Sequence, residues 1–261
     1  MDLSEATHAF VTGGASGLGL AIADALAARG LNVTLCDIQS DLLQKVLAER
    51  GGNFRGISLD VRDRHRWIQA KEEAEAAFGP VGVLINNAGI APDGQMLADM
   101  QPESFDLILD INLVGVMLGV SAFAASMRER GVGHIVNTAS LAGLSVPAPG
   151  VGAYTMTKYG VVAISEAARL ELAPHGVGVS VLCPGLVGTG LGENTVRIKG
   201  GVPQAAHKMP EGEVTPEHVG AMVVDGIERN ADYIITHRDA WPAIEKRMGA
   251  IREACLYRQG R

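Results

Sequence analysis

The sequence predicts an α/β fold in which a doubly wound parallel sheet is flanked by helices on both faces. Short apolar runs rich in β-prone residues alternate with helical patterns along the chain. Strands separated by helices of this length require parallel crossover connections. The apolar runs do not alternate with polar residues, which indicates strands that are covered on both faces.

The elements can be assigned in order, because each continuous apolar run gives way to the three-four spacing of a helix. In the first half, HAFVT is followed by a helix at 18–29, NVTLCD by 41–50, GISLDV by 64–78 and VGVLINN by 103–130. In the second half, HIVNTAS is followed by a helix at 153–174, VGVSVLCP by a helix after Thr215, and DYIIT by a tail helix that begins near Asp239 or Ala240.

Length and charge bound the possible functions. The 261 residues contain no linker-like stretch, so we expect one domain. The 29 acidic and 22 basic residues give a formal net charge of -7, which argues against nucleic acid or an anionic membrane surface as the main partner. A small-molecule partner is favoured instead.

Cysteine usage and the N-terminus indicate a soluble, cytoplasmic protein. Cys36, Cys183 and Cys255 are odd in number and form no CxxC pair, which is typical of free thiols in a reducing compartment. No signal-peptide pattern and no stretch of about 20 uninterrupted apolar residues is found. The seven histidines show no ligand spacing, so no metal site is expected.

A glycine-rich turn follows the first strand. Gly13, Gly17 and Gly19 in TGGASGLG let the backbone and a helix N-terminus approach a pyrophosphate, although a plain tight turn would explain the same spacing. Asp37 ends the second strand and suits the 2′-hydroxyl of a ribose, unless it is only a capping or loop acid. No Arg or Lys that could bind a 2′-phosphate stands at Ser16 or at positions 38 and 39, which favours NAD over NADP.

Four polar side chains suit proton transfer. Tyr154 and Lys158 are four residues apart, so they share one face of the predicted helix, and Ser140 and Asn112 precede them. A neighbouring ammonium lowers the pKa of a phenol from its reference value near ~10. The alternative for such a pair is a ring packed in the core beside a solvated ammonium.

Together these motifs resemble the classical short-chain dehydrogenase/reductase family, over nearly the whole chain from Thr12 to about Thr236. The matching signatures are TGGASGLG, Asp60-Val61, Asn86-Asn87-Ala88-Gly89, Tyr154-x-x-x-Lys158 with Ser140 before it, and Pro184-Gly185 followed by Thr189. The resemblance implies a single Rossmann-type domain at 1–236. The 13 residues between Ser140 and Tyr154 form a loop that is slightly longer than usual in the family.

The resemblance also implies roles for particular residues. The catalytic residues would be Asn112, Ser140, Tyr154 and Lys158. The cofactor-binding residues would be Gly13, Ser16, Gly17, Leu18, Gly19, Asp37, Asp60, Val61, Asn87, Ala88, Gly89, Tyr154, Lys158, Pro184, Gly185, Val187 and Thr189. The substrate-binding residues would be Ser140, Leu141, Ala142, Val151, Tyr154 and Leu186.

The expected activity is the NAD(H)-dependent interconversion of a secondary alcohol and its ketone. The substrate is expected to be hydrophobic, and bulky or aromatic alcohols are included. Tyr154 would be the base, Ser140 would donate to the substrate oxygen, and Asn112 would hold a water of a proton relay. An NADP(H)-dependent carbonyl or 3-oxoacyl reductase is the alternative enzyme. A dinucleotide-binding regulator is the alternative outside the enzymes, and the complete set of four catalytic residues argues against it.

Two further segments are expected to matter. The glycine-rich stretch at 186–210, which contains Arg197, Lys199, His207 and Lys208, reads as irregular and as part of a substrate lid at about 186–213. The tail helix within 237–261 carries an apolar stripe of Trp241, Ile244, Met248, Ile251 and Cys255. This stripe would pack either on its own domain or on another subunit of a homo-oligomer, a dimer or a tetramer.

Overall fold

In a computed structural model, which describes residues 1–199 and 214–257, the chain forms a parallel sheet of seven strands in the order β3-β2-β1-β4-β5-β6-β7. The strands are β1 His8–Thr12, β2 Asn32–Asp37, β3 Phe54–Ser58, β4 Val83–Asn86, β5 Gly133–Thr138, β6 Val177–Cys183 and β7 Tyr233–Ile235. The predicted fold class is confirmed.

Helices connect the strands on both sides of the sheet. They are α1 Gly17–Ala27, α2 Ser40–Ala48, α3 Arg64–Phe78, α4 Pro102–Leu109, α5 Gly115–Arg130, α6 Gly152–Leu172, α7 Leu191–Ile198, α8 Pro216–Glu228 and α9 Trp241–Leu256. Most predicted helices agree with these bounds to within two residues, and the agreement is complete for α3.

The core has two layers because successive residues of a buried strand point to opposite faces of the sheet. On one face Phe10 packs 4.9 Å from the ring of Phe123 and 5.9 Å from that of Trp67, measured between centroids. On the other face Val11, the next residue of β1, packs with the apolar residues of α1 and α8. All residues of β1, β4, β5 and β6 are buried, which explains their lack of polar alternation.

The helix predicted at 103–130 is continuous but irregular. Its two α-helical parts are joined by a π-helical turn, Asp110–Val114, which contains Asn112. Single π-turns in helices are frequent at functional sites. Among the described residues, Pro102–Arg130 is the one helix long and apolar enough to cross a membrane by composition, and half of its most apolar window is buried. Its packing on α3 and α6 is that of a core helix.

Two expectations about the second half need revision. The stretch at 186–210 is not irregular throughout, because Leu191–Ile198 forms α7 with the side chain of Thr195 buried. His207 and Lys208, together with half of the predicted lid, lie outside the described residues. For the tail, packing on its own domain is limited, since within the described part of the chain no residue of α9 is buried.

A buried histidine supports the sheet. His134 at the start of β5 is completely buried, and its Nε2 lies 2.8 Å from Oγ of Ser180 in β6. Because the Ser180 hydroxyl donates to the Ala231 carbonyl, the His134 ring must be the donor to Ser180. Burial lowers the pKa of His134 to about 3.

We predict that His134 makes the fold acid-sensitive. Below the unfolded pKa of about 6.5, the unfolded chain binds a proton that the folded protein does not, so stability falls by up to about 1.4 kcal/mol per pH unit. In His134→Gln this loss is absent. Urea unfolding should show the variant about 1–2 kcal/mol less stable at pH 7, with the difference shrinking or reversing near pH 5.

The matched control is His175→Gln, since His175 is exposed. Its free energy of unfolding should follow that of the unmodified protein at both pH values. A difference between His134→Gln and the unmodified protein that stays constant from pH 7 to pH 5 would contradict the assignment.

Candidate functional site

A cavity of about 880 Å³ lies at the carboxyl ends of the strands. Strand order reverses between β1 and β4, and the connections from these two strands leave in opposite directions and open a crevice. The cavity extends from the end of β2, past this crevice, to the start of α9.

Nearly all predicted site residues line this one cavity. They are Gly13, Ser16, Gly17, Leu18, Asp37, Asp60, Val61, Asn87, Ala88, Gly89, Ser140, Leu141, Ala142, Val151, Tyr154, Lys158, Pro184, Gly185, Leu186, Val187 and Thr189. Two predicted residues, Gly19 and Asn112, lie behind the surface. A side chain at Gly19 would place its Cβ 2.1 Å from the Gly13 carbonyl oxygen, so this glycine serves the packing of the turn on α1.

The glycine-rich turn brings backbone close to the cavity. Gly13 and Gly17 have φ values of 62° and 53°, which side chains other than glycine's rarely allow. A Cβ on Gly13 would also lie 3.0 Å from Cα of Ala88. Ser16, the N-cap of α1, makes no side-chain capping bond, so the first backbone N–H groups of the helix are available to an anion.

Asp37 is fixed by the turn that precedes α1. Its Oδ2 accepts the backbone N–H of Ala15 at 3.1 Å, and its Oδ1 accepts that of Gln39 at 3.0 Å. Burial raises the pKa of this carboxyl, and the backbone hydrogen bonds act in the opposite direction. The contact with Ala15 couples the carboxylate to the glycine-rich turn, which the sequence did not indicate.

Asp60 already has a partner. Its Oδ2 lies 2.6 Å from Nη2 of Arg62, and this guanidinium lowers the pKa of the carboxyl. Arg62 also lines the cavity. The sequence did not predict this, because the positions expected to read a 2′-phosphate were 16, 38 and 39. Its charge is balanced by Asp60.

A hydrogen-bonded brace closes the sheet beneath the crevice. The hydroxyl of Thr12, at the end of β1, accepts the N–H of Asn87 at 2.9 Å and of Ala88 at 3.1 Å. The Asn87 amide donates to the Thr12 carbonyl at 3.1 Å, and Thr138 of β5 donates to its Oδ1 at 3.5 Å. Asn87 therefore ties the ends of three neighbouring strands together.

Tyr154 and Lys158 lie on the same face of α6, as their spacing predicts. The Lys158 ammonium lies 5.5 Å from the centroid of the Tyr154 ring and donates to the Thr138 carbonyl at 3.0 Å. Lys158 is buried, and burial lowers its pKa to about 8. Because this ammonium has lost its solvation, binding of a hydroxyl or an anion that enters the cavity is favoured.

The pKa of Tyr154 behaves differently from the sequence-based expectation. Burial raises the pKa of the phenol, and the Ser140 hydroxyl beside it lowers it. The Lys158 ammonium lies over the ring, and burial lowers its own pKa to about 8. The protein's own groups therefore favour the neutral phenol.

Asn112 is held by the chain segment after β4. Its Oδ1 accepts the N–H of Ile90 at 2.8 Å and its Nδ2 donates to the Ile90 carbonyl at 3.0 Å, both completely buried. A Cβ on the neighbouring Gly89 would lie 3.2 Å from Asn112 Oδ1 and 3.6 Å from Lys158 Nζ. Asn112 and Lys158 thus approach the same glycine from two helices. The relay role of Asn112 remains a prediction.

The helix α7 covers the crevice through contacts that sequence analysis missed. Asn194 donates to the Ser16 hydroxyl at 2.9 Å, and the Thr195 hydroxyl accepts the N–H of Ala91 at 2.8 Å. Lys199, just after the helix, lies 3.1 Å from Asp93. The polar residues at 194, 195 and 199 were the available signal, but their partners are 104 to 178 residues away in the sequence. These partners could not be identified without the fold.

The turn after β6 is held by the end of β7. The Gly185 N–H donates to Oγ1 of Thr236 at 3.1 Å, and the Pro184 carbonyl accepts the N–H of Leu141 at 2.9 Å. A Cβ on Gly17 would lie 3.2 Å from Cβ of Thr189, so this turn reaches the glycine-rich turn as well. The two ends of the cavity are connected through it.

The remaining wall is apolar. The predicted substrate-side residues Leu141, Ala142, Val151 and Leu186 line it, and further lining residues were not predicted. The latter include Ile90, Ala91, Pro92, Ile111, Ser145, Leu191, Asn194, Ile198, Ala240 and Ala243.

Comparisons with known proteins agree with this geometry. A family model of short chain dehydrogenases matches residues 7–199. The chain is 39% identical over 181 residues to a 3-alpha-(or 20-beta)-hydroxysteroid dehydrogenase of Mycobacterium bovis, covering 69% of each protein. It is 32% identical over 260 residues to a C alpha-dehydrogenase of a Sphingobium species, covering 93% of this chain and 84% of the relative. A short chain dehydrogenase/reductase of Burkholderia phymatum, solved in complex with NAD, has a TM-score of 0.86 at 29% identity over 95% of each chain.

Proposed function

Because this chain belongs to the short-chain dehydrogenase/reductase family, whose members are NAD(P)-dependent enzymes acting on CH–OH groups, we propose that it interconverts a hydrophobic secondary alcohol and its ketone with NAD(H). The observation that carries the proposal is the placement of Ser140, Tyr154 and Lys158 on the wall of the same cavity as the glycine-rich turn and Asp37. Such a cavity brings a proton-transfer group to the end of a dinucleotide site.

The chain's residues divide the chemistry among them. NAD, when bound, accepts or returns the hydride and adds the positive charge of its oxidised ring. Tyr154 takes the proton of the substrate hydroxyl during oxidation and returns it to the carbonyl oxygen during reduction. Ser140 donates a hydrogen bond to the same oxygen, which stabilises charge that develops there.

Lys158 holds positive charge next to this proton transfer. With a pKa of about 8, its ammonium is charged at neutral pH but weakly solvated, which suits it to bind a ribose hydroxyl. Because burial raises the pKa of Tyr154, the neutral phenol is the resting form, and this form is the one that donates a proton in ketone reduction. Ionisation for alcohol oxidation would then rely on Ser140, on the neighbouring Lys158 ammonium and on the positive charge that the oxidised cofactor would add.

Replacing Tyr154 by Phe removes only the transferable proton. We expect kcat to fall by about 100- to 10,000-fold, the usual contribution of general acid–base catalysis, while the Kd of NAD changes by no more than about twofold. Tyr159→Phe is the matched control on the same helix, because the Tyr159 hydroxyl is buried with no hydrogen-bond partner among the described residues. Retention of a tenth or more of turnover in Tyr154→Phe would contradict its role, and a regulator without chemistry would show no turnover in any variant.

The preference for NAD over NADP is proposed from Asp37. Its carboxylate lies on the cavity wall at the end of β2, where it suits a ribose 2′-hydroxyl and repels a 2′-phosphate. Arg62 on the same wall is neutralised by Asp60, so it supplies little compensating charge. An NADP-dependent reductase would need this pair to open.

We expect Asp37→Ala and Asp37→Asn to lower the ratio of the NADP Kd to the NAD Kd by at least about tenfold, since charge repulsion is lost in both. Asn keeps one acceptor for the Ala15 or Gln39 N–H, so it separates the loss of charge from loosening of the turn. Asp41→Ala, at an exposed carboxylate in the first turn of α2, is the control. Ratios unchanged in both Asp37 variants would show that the carboxylate does not read the ribose.

We propose that the protein is cytoplasmic, as its free thiols suggest.

We also propose that it is a homo-oligomer, because the apolar face of α9 is exposed. Trp241, Met248 and Ile251 are 57%, 52% and 44% exposed. An isolated helix of this length is marginal in water. The contacts of α9 with its own domain include Arg247, which lies 4.9 Å from the Tyr159 ring centroid. Burial of the apolar stripe against a second copy of the chain would further stabilise α9.

The double variant Met248→Glu with Ile251→Glu should shift the mass in solution towards the 27.3 kDa of one chain, because two charges would have to be desolvated in the interface. Light scattering at one fixed concentration measures this. Ala250→Glu, at an exposed position of the same helix, is the control. An unchanged oligomer mass in the double variant would remove α9 from the interface.

A further inference from the structure

We propose that the first turn of α9 is the outer wall of the substrate site, so that the C-terminal helix sets how large a hydrophobic substrate the protein accepts. The inference rests on the proposed function, and it assigns to α9 a role that neither its motif content nor the sequence pattern of the tail indicated.

Two alanines of the tail reach the cavity that contains Ser140 and Tyr154. Ala240 precedes α9 as its N-cap and Ala243 lies in its first turn, and both line the cavity. The larger residues beside them, Trp241 and Ile244, line a separate groove with Met222 of α8. The helix therefore presents its smallest side chains to the cavity, which leaves room for a ligand.

The start of the tail is fixed against the reaction end of the site. Thr236 accepts the Gly185 N–H at 3.1 Å, and a Cβ on Gly185 would lie 2.7 Å from Nδ1 of His237. This close approach requires glycine at 185 and packs the residues just before α9 on the turn that follows β6. The position of Ala240 and Ala243 is thus tied to the turn that contacts the cofactor side.

The same cavity is also lined by large apolar residues that are exposed. Val146 and Leu186 are 66% and 79% exposed, and both line the cavity together with Pro147. Large apolar side chains around a cavity opening are typical of a binding surface. The charged lining residues in the described part of the chain are Asp37, Asp60, Arg62 and Lys158, none of which belongs to this wall.

The chemistry of this wall selects a substrate class. Among the described residues, Val146, Pro147, Leu186, Ala240 and Ala243 offer a substrate apolar contact and small side chains. We infer a secondary alcohol whose hydroxyl carbon lies at Tyr154 and Ser140 and whose bulky hydrophobic substituent, an aromatic or fused-ring group, extends between Val146, Leu186 and the first turn of α9.

The experiment compares two alcohols in one set of variants. 1-(2-Naphthyl)ethanol fills the outer part of the site and 2-butanol does not. We expect Ala243→Trp to lower kcat/KM for the naphthyl alcohol by about tenfold or more, mainly through KM, and to leave 2-butanol within about twofold. Ala243→Leu should give an intermediate loss, and it replaces the Trp variant if that variant does not fold.

Ala250→Trp is the matched control, since Ala250 is exposed on the same helix and does not line the cavity. Equal losses for both alcohols, no loss in either Ala243 variant, or the same loss in Ala250→Trp would overturn the inference. So would an unmodified protein that oxidises 2-butanol but not the naphthyl alcohol. Turnover of neither alcohol with intact NAD binding would instead overturn the proposed function, and the inference with it.

Discussion

The arrangement of the site depends on the brace between Thr12 and Asn87. Strand order reverses between β1 and β4, so the connections that leave these neighbouring strands diverge and open the crevice. The Thr12 hydroxyl and the Asn87 amide join the two strand ends across that opening, and Thr138 extends the bonding to β5. The glycine-rich turn starts directly after Thr12, and the Thr138 carbonyl accepts from Lys158. Both the glycine-rich turn and Lys158 are therefore positioned by this one set of hydrogen bonds.

Burial shifts the pKa values of Tyr154 and Lys158. Burial removes solvation from Lys158 and lowers its pKa, and the pKa of Tyr154 rises because of the same loss of solvation. A ligand in the cavity can therefore change both groups. A positive charge near the phenol would stabilise its ionised form, and a hydroxyl near the ammonium would replace part of the lost solvation. The site is more responsive to its ligands than a solvated tyrosine–lysine pair would be.

Segments beyond the central sheet complete the site. The helix α7 binds Ser16 at the glycine-rich turn and Ala91 after β4, and the start of α9 is held by Thr236 and His237 against the turn after β6. These segments follow Tyr154 and Lys158 in the chain, yet Leu191, Asn194 and Ile198 of α7 and Ala240 and Ala243 at the start of α9 line the same cavity. We propose that these later segments decide which substrates reach Ser140, Tyr154 and Lys158.

The sequence by itself determined the sheet and the order of its elements, because apolar periodicity is a local property of the chain. The spacing of Gly13, Gly17, Tyr154 and Lys158 is local as well, and the resemblance to the family that these motifs carry predicted many residues of the cavity wall. Tertiary structure alone decided the rest. Whether α7 is a helix, which partner Asn194 binds, how Arg62 is neutralised and that Ala243 faces the cavity all depend on contacts between residues far apart in sequence. The direction of the Tyr154 pKa shift belongs to the same group, because desolvation depends on how many elements pack around a side chain, and a sequence pattern does not encode that number.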